Sequence, residues 1–172
     1  MPVTTSLYRF NQVPGWDCEQ YQQARALFNH HVFSLHKTTP LNFCDYLPHV
    51  TPEINAILHN NCKYTGIPDF GTRVGVLYNA NFIHQWFVTN IQGGQDICKM
   101  YIVSPDKLQR LEKMCNLALF YPEITDSLFP VLQNYSEELW AVRSKLENML
   151  KYLEKAQETD WNSNIVVYQA HW

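Results

Sequence analysis

The stretch from 73 to 103 constrains the fold most, because it is the one long run in which β-branched and aromatic residues alternate. A period of two sends successive side chains to opposite faces of a strand. Gly93-Gly94, between Ile91 and Ile97, offers the positive φ angles of a tight antiparallel turn, and Asn79-Ala80-Asn81 offers a second reversal. The expectation is a three-stranded meander. With Gln92 opposite Gln95, Trp86 would face Tyr101, Phe87 would face Met100 and Thr89 would face Cys98. Both faces of such a meander are apolar, so helices must cover one, and a helix, a partner or a ligand the other.

Helix signals surround this stretch. Asp17 and Gln20 form a capping box, after which Cys18, Tyr21, Arg25, Phe28, Val32 and Leu35 recur at helical spacing until Thr38-Thr39-Pro40. Thr51-Pro52-Glu53 and Ser104-Pro105-Asp106 combine an N-cap, a proline at the first helical position and an acid at the positive end of the dipole. Ser136-Glu137-Glu138 opens the longest helix, whose seam is Leu139, Val142, Leu146, Met149 and Leu153. Helices are expected over about 17–37, 52–64, 105–120 and 137–158, with an edge strand at 6–10 and a terminal strand at 165–172. The resulting class is α+β: a single domain over 1–172, with an antiparallel sheet of four or five strands packed against about four amphipathic helices.

The net charge of −3 provides no positive field for a phosphate backbone, so nucleic acid is not expected as a partner. No apolar run approaches about 18 residues, and Met1-Pro2-Val3-Thr4-Thr5 lacks the basic start and apolar centre of a signal peptide. A soluble, cytoplasmic chain with no membrane contact is expected. Its five cysteines, odd in number and dispersed, fit reduced thiols.

Candidate sites are few. Cys44, His49, His59 and Cys62 gather thiols and imidazoles over a short span, but their spacing departs from standard zinc patterns, so no metal and no cofactor is expected. Cys44 with His49 is a candidate nucleophile and base, and His84 is a further catalytic candidate. Cys98, placed in the sheet, would face Phe87 and Met100. Asp69-Phe70-Gly71 spells a kinase triplet without the other kinase motifs, and phosphate-loop and dinucleotide fingerprints are missing from the sequence. His84, Trp86 and Tyr101 on one sheet face would make an aromatic floor for a ligand or partner. His30, His31 and His36 are expected to face solvent.

Charged residues are 17% of the chain against about 25% for an average domain, and aromatics are 14%. Trp140 and Tyr152 lie off the seam of the last helix, which leaves that helix more apolar surface than one docking face covers. The functional expectation is a non-enzymatic interaction protein: an adaptor, an inhibitor or immunity-type binder, or a chaperone. It would bind a protein partner or form a homodimer through Trp86, Tyr101, Trp140 and Tyr152. The alternative is a small cytosolic enzyme or ligand-binding domain using His84, Trp86 and Tyr101, or Cys44 with His49.

Overall fold

A computed structural model of the chain describes residues 3–37, 39–134 and 137–172. Met1, Pro2, Thr38 and Ser136, which carry the start of the chain, a helix stop and a helix start in the sequence reading, lie outside the described residues. The chain gathers into two compact units.

The first unit holds residues 3–8, Arg73–Thr159 and Val166–Trp172. Its centre is the sheet formed by β1 (Thr4–Asn11), β4 (Thr72–Tyr78), β5 (Met100–Val103) and β6 (Asn164–His171). The order is β4-β1-β6-β5 and the sheet is antiparallel, which gives the α+β class expected. β1 is an interior strand, not the edge strand expected, and its near-continuous burial follows from having neighbours on both sides. β6 pairs with β5 in the register Met100 to Gln169 and Tyr101 to Tyr168.

The meander is not formed. Its outer strands exist as β4 and β5, but the middle one is a helix, α3 (Asn81–Asn90). Six of its ten residues are buried, among them Phe82, Ile83, Trp86, Phe87 and Val88. The helix does leave a polar stripe, Asn81, Gln85 and Thr89 at four-residue spacing, but the β-branched and aromatic residues around it also fit the alternation of a strand. Gly93 and Gly94 do take positive φ, 66° and 84°, but they lead the chain out of α3, with the Gly94 amide donating to the Val88 carbonyl at 2.8 Å. The facing pairs of Trp86 with Tyr101, Phe87 with Met100 and Thr89 with Cys98 fall with the hairpin.

α4 (Pro105–Phe120) and α6 (Leu139–Gln157) pack together, α4 through Leu108, Leu111, Cys115 and Ala118, and α6 through Val142, Leu146, Met149, Leu153 and Ala156. Leu139, expected in the seam, is 64% exposed. Between them lies the short helix α5 (Thr125–Leu128). Tyr152 covers β4 at Gly75, where a Cβ would run into its ring.

The second unit holds Arg9–Thr72 and Asp160–Ile165. α1 (Cys18–Asn29) begins at the expected capping box, Asp17 Oδ1 accepting from the Glu19 and Gln20 amides at 2.9 and 3.1 Å, and runs into a π turn over His30–Ser34. α2 (Pro52–Asn61) starts at Thr51, whose hydroxyl accepts from the Ile54 amide at 3.3 Å. A two-stranded ribbon follows, β2 (Cys62–Lys63) with β3 (Asp69–Phe70). Phe70 is the hub of the core, its ring centroid 5.4 Å from Phe10, 6.0 Å from Phe28 and 6.2 Å from Phe43. His31 is buried against expectation, its Nε2 donating to the Thr39 carbonyl at 2.8 Å.

Candidate functional site

α3 puts His84 into the interior of the first unit, 3% exposed, and both ring nitrogens are engaged. Nδ1 lies 2.5 Å from the Tyr168 hydroxyl and Nε2 lies 2.9 Å from Asp96 Oδ1. Phe87, one turn on from His84, stacks on Tyr168 with centroids 4.1 Å apart and planes 6° from parallel. Gln92, where α3 ends, donates from Nε2 to the Tyr168 hydroxyl at 3.4 Å and accepts from the Ile97 amide at 3.2 Å, which ties down the loop carrying Asp96. Burial, and after it the charge of Asp96, pushes the Tyr168 phenol well above its ordinary pKa.

The protons follow from these contacts. Tyr168 keeps its hydrogen and donates it to Nδ1, so the imidazole carries its own hydrogen on Nε2 and donates it to Asp96. Both nitrogens of His84 are hydrogen-bonded, Nδ1 to a fully buried phenol and Nε2 to a carboxylate. The network holds His84 and Asp96 in place.

Beside it opens a cleft of about 340 Å³, lined by His84, Asp96, Asn81, Gln85, Trp172, Val3 and Val131. Asn81 Oδ1 is buried with no hydrogen-bond partner among the described residues. The Trp172 ring centroid is 5.7 Å from that of His84.

A second surface lies where α4 ends and α6 begins. A groove of about 230 Å³ runs between Ala118, Leu119 and Pro122 on one side and Leu139, Trp140, Val142 and Leu146 on the other. Trp140 is 69% exposed and Phe120 81%, and Leu117, Tyr121 and Leu139 are exposed as well. The Trp140 indole donates to the Glu138 carboxylate, and Arg143 on the rim pairs with Glu147 at 3.0 Å.

The other candidates separate. The aromatic floor does not assemble, because His84 and Trp86 stand on a helix and the Trp86 indole turns to Met114 Sδ at 3.1 Å. Tyr101 is half-buried on β5 directly across from Tyr168. Tyr152, expected as a binding residue, is partly covered by its packing on Gly75. Cys44 sits in a 3-10 turn, and the His49 ring lies 5.8 Å from that of Trp16; among the described residues no hydrogen bond joins Cys44 to His49. His59 Nε2 donates to the Leu41 carbonyl at 2.5 Å, and the Cys62 thiol donates to the Leu58 carbonyl at 3.3 Å. Burial pushes the Cys62 thiol up to about 12. Among the described residues no three His, Cys, Asp or Glu side chains gather as metal ligands would. Cys98, expected inside the sheet, is exposed ahead of β5.

Sequence reasoning missed Asn81, Gln92, Asp96, Tyr168 and Trp172 as site residues. Asp96 alone had a local signal, a carboxylate two residues after a glycine pair in a loop. No protein-family model, no curated protein and no solved structure matches the chain. No helix among the described residues is long and apolar enough to cross a membrane.

Proposed function

We propose that the chain is a non-enzymatic protein-binding module that docks a protein partner through the end of α4 and the start of α6. The observation that carries this reading is an apolar groove lined by exposed Leu139 and Trp140, with exposed Leu117, Phe120 and Tyr121 nearby in sequence at the end of α4. Large exposed apolar side chains in a patch mark interaction surfaces, whereas singly scattered ones do not, and tryptophan and tyrosine dominate the energetics of such surfaces. With only 17% charged residues the surface resists association weakly, which supports the same reading and extends it to a second copy of the chain. The five cysteines, all free thiols in the structure, support a cytoplasmic setting.

Site-specific photocrosslinking in cells tests the reading. A photoreactive residue replacing Trp140 should yield a discrete protein adduct, and the same residue replacing the exposed Lys151 on the same helix should not. Adducts that are absent at position 140, or alike at both positions, would overturn it.

A further inference from the structure

The cleft beside His84 is built to receive positive charge. Its lining includes the Asp96 carboxylate, the Asn81 and Gln85 amides and the Trp172 indole, and includes neither lysine nor arginine. Nε2 of His84 meets one oxygen of Asp96 at 2.9 Å, and no lysine or arginine lines the cleft to pair with that carboxylate. Asp96 is 49% exposed and uses only Oδ1 toward His84. Asn81 also lines the cleft, and its Oδ1 is buried with no hydrogen-bond partner among the described residues, which costs stability while it is unmet.

The remaining walls narrow the ligand further. Cations settle over an indole face at distances up to about 6 Å, a use open to Trp172. Val3 and Val131 add apolar wall, and about 340 Å³ sits at the small end of the range for small-molecule sites, about 300–1,000 Å³. An anion would meet Asp96, and a bare metal ion would find too few ligands. An ammonium group, with three N–H donors and no acceptor, matches the two oxygens and leaves one hydrogen for the ring or for water.

We propose that this cleft binds a small organic cation, a primary ammonium on a short apolar stem, with the ammonium held by Asp96 and Asn81, Trp172 against it and the stem along Val3 and Val131. His84 and Tyr168 are positioning residues that aim Asp96. This site is separate from the docking surface at α4 and α6 and does not depend on it.

Calorimetric titration of the full chain with n-pentylamine tests the proposal, with n-pentanol and pentanoate as probes of the same stem without the positive charge. Saturable binding of the amine alone is expected, together with a change in Trp172 fluorescence that is lost in Trp172→Leu. Asp96→Asn, which keeps the shape and removes the charge, should weaken the amine at least about tenfold, equivalent to about 1.4 kcal/mol, while the melting temperature holds. A blocked lysine peptide run in parallel identifies the carrier: equal affinity assigns the ammonium to a lysine side chain, and exclusion assigns it to a free amine. Equal binding of pentanol, undiminished affinity in folded Asp96→Asn, or no saturable binding by pentylamine or by the lysine peptide would overturn the proposal. Glu147→Gln, a charge change on the exposed face of α6, should leave the affinity unchanged, and an equal loss there would reduce the effect to general electrostatics and overturn the site.

Discussion

Phe87 lies flat on Tyr168, 4.1 Å between centroids, and the hydroxyl of the same tyrosine reaches Nδ1 of His84 at 2.5 Å. Tyr168→Phe keeps the stack and strips His84 of its donor, which should cost about 1–3 kcal/mol in urea unfolding, the cost of orphaning a buried polar atom. Phe87→Ala should cost about 3–5 kcal/mol by opening a cavity. Nitrogen chemical shifts of the His84 ring should show the hydrogen on Nε2 in the native chain and, in Tyr168→Phe, a shift at Nδ1 from the loss of its hydrogen bond. Unchanged shifts and stability in that variant would sink this account of the network.

Gly75 and Tyr152 should behave as one unit. A Cβ at Gly75 would run into the Tyr152 ring, so Gly75→Ala should destabilise the fold by about 1–3 kcal/mol. Adding Tyr152→Ala to it should cost less than the sum of the single changes, since the clash then has no partner. Strict additivity in a thermal-melt double-mutant cycle would show that the ring is not what excludes the side chain.

The thiols divide by environment. Cys98 is exposed, while burial pushes the thiols of Cys62 and Cys115 up to about 12, with Glu112 adding to the shift at Cys115. A disulfide reagent at pH 8 should therefore label Cys98 first and leave Cys62 and Cys115 unlabelled until denaturant is added, when all five should react. Peptide mass mapping over time checks the order, and three or fewer thiols in freshly reduced, denatured chain would contradict it.

Alkaline pH should loosen the structure through its phenols. Tyr21, Tyr64 and Tyr168 all have pKa values raised chiefly by burial, Tyr64 to about 12. A raised folded-state pKa means that the native state binds the proton more tightly than the unfolded chain. The stability it confers is complete below about 10, the unfolded tyrosine value, and declines as pH rises toward the folded value. Absorbance titration should show Tyr21, Tyr64 and Tyr168 ionising only as the circular dichroism is lost. Ionisation of these phenols before any loss of structure would contradict this assignment.

Two faces of α6 should respond in opposite ways. Leu146 is buried against α4, so Leu146→Ala should cost about 2–5 kcal/mol in chemical denaturation. Trp140, 69% exposed, should change stability by less than about 0.5 kcal/mol on replacement by Asp while crosslinking and self-association fall away. Unfolding of Trp140→Asp would return that side chain to the core.

Where local chemistry decides an element, the sequence announces it. Asp17 with Gln20 and Thr51 with Pro52 start their helices where expected, because a cap is a contact between residues two or three apart. Ser104-Pro105 also marks its helix start, although no side-chain bond from Ser104 completes that cap. α3 defeats the same reasoning although Asn81, Gln85 and Thr89 recur every four residues as the outer face of a helix does, because the aromatic and β-branched residues between them also suit a strand. His84 was legible as a residue of interest, but its partner Tyr168 stands 84 positions away, and no pattern along the chain links the two. Trp140 was legible because its place off the α6 seam depends only on helical spacing.

The neighbours β1 and β6, near opposite ends of the chain, fill the two interior places of the sheet. During translation, at about 5–20 residues per second, β4 follows β1 within roughly three to twelve seconds, whereas β6 follows it only after roughly eight to thirty seconds. Until β6 arrives, the edge of β1 that it will cover stays open, and Leu7, Tyr8 and Phe10, all buried in the finished fold, lie on an incomplete sheet. Pairings between such distant segments form slowly, so the nascent chain is an open template for strand addition in the cell and a natural client for a chaperone until its last strand arrives.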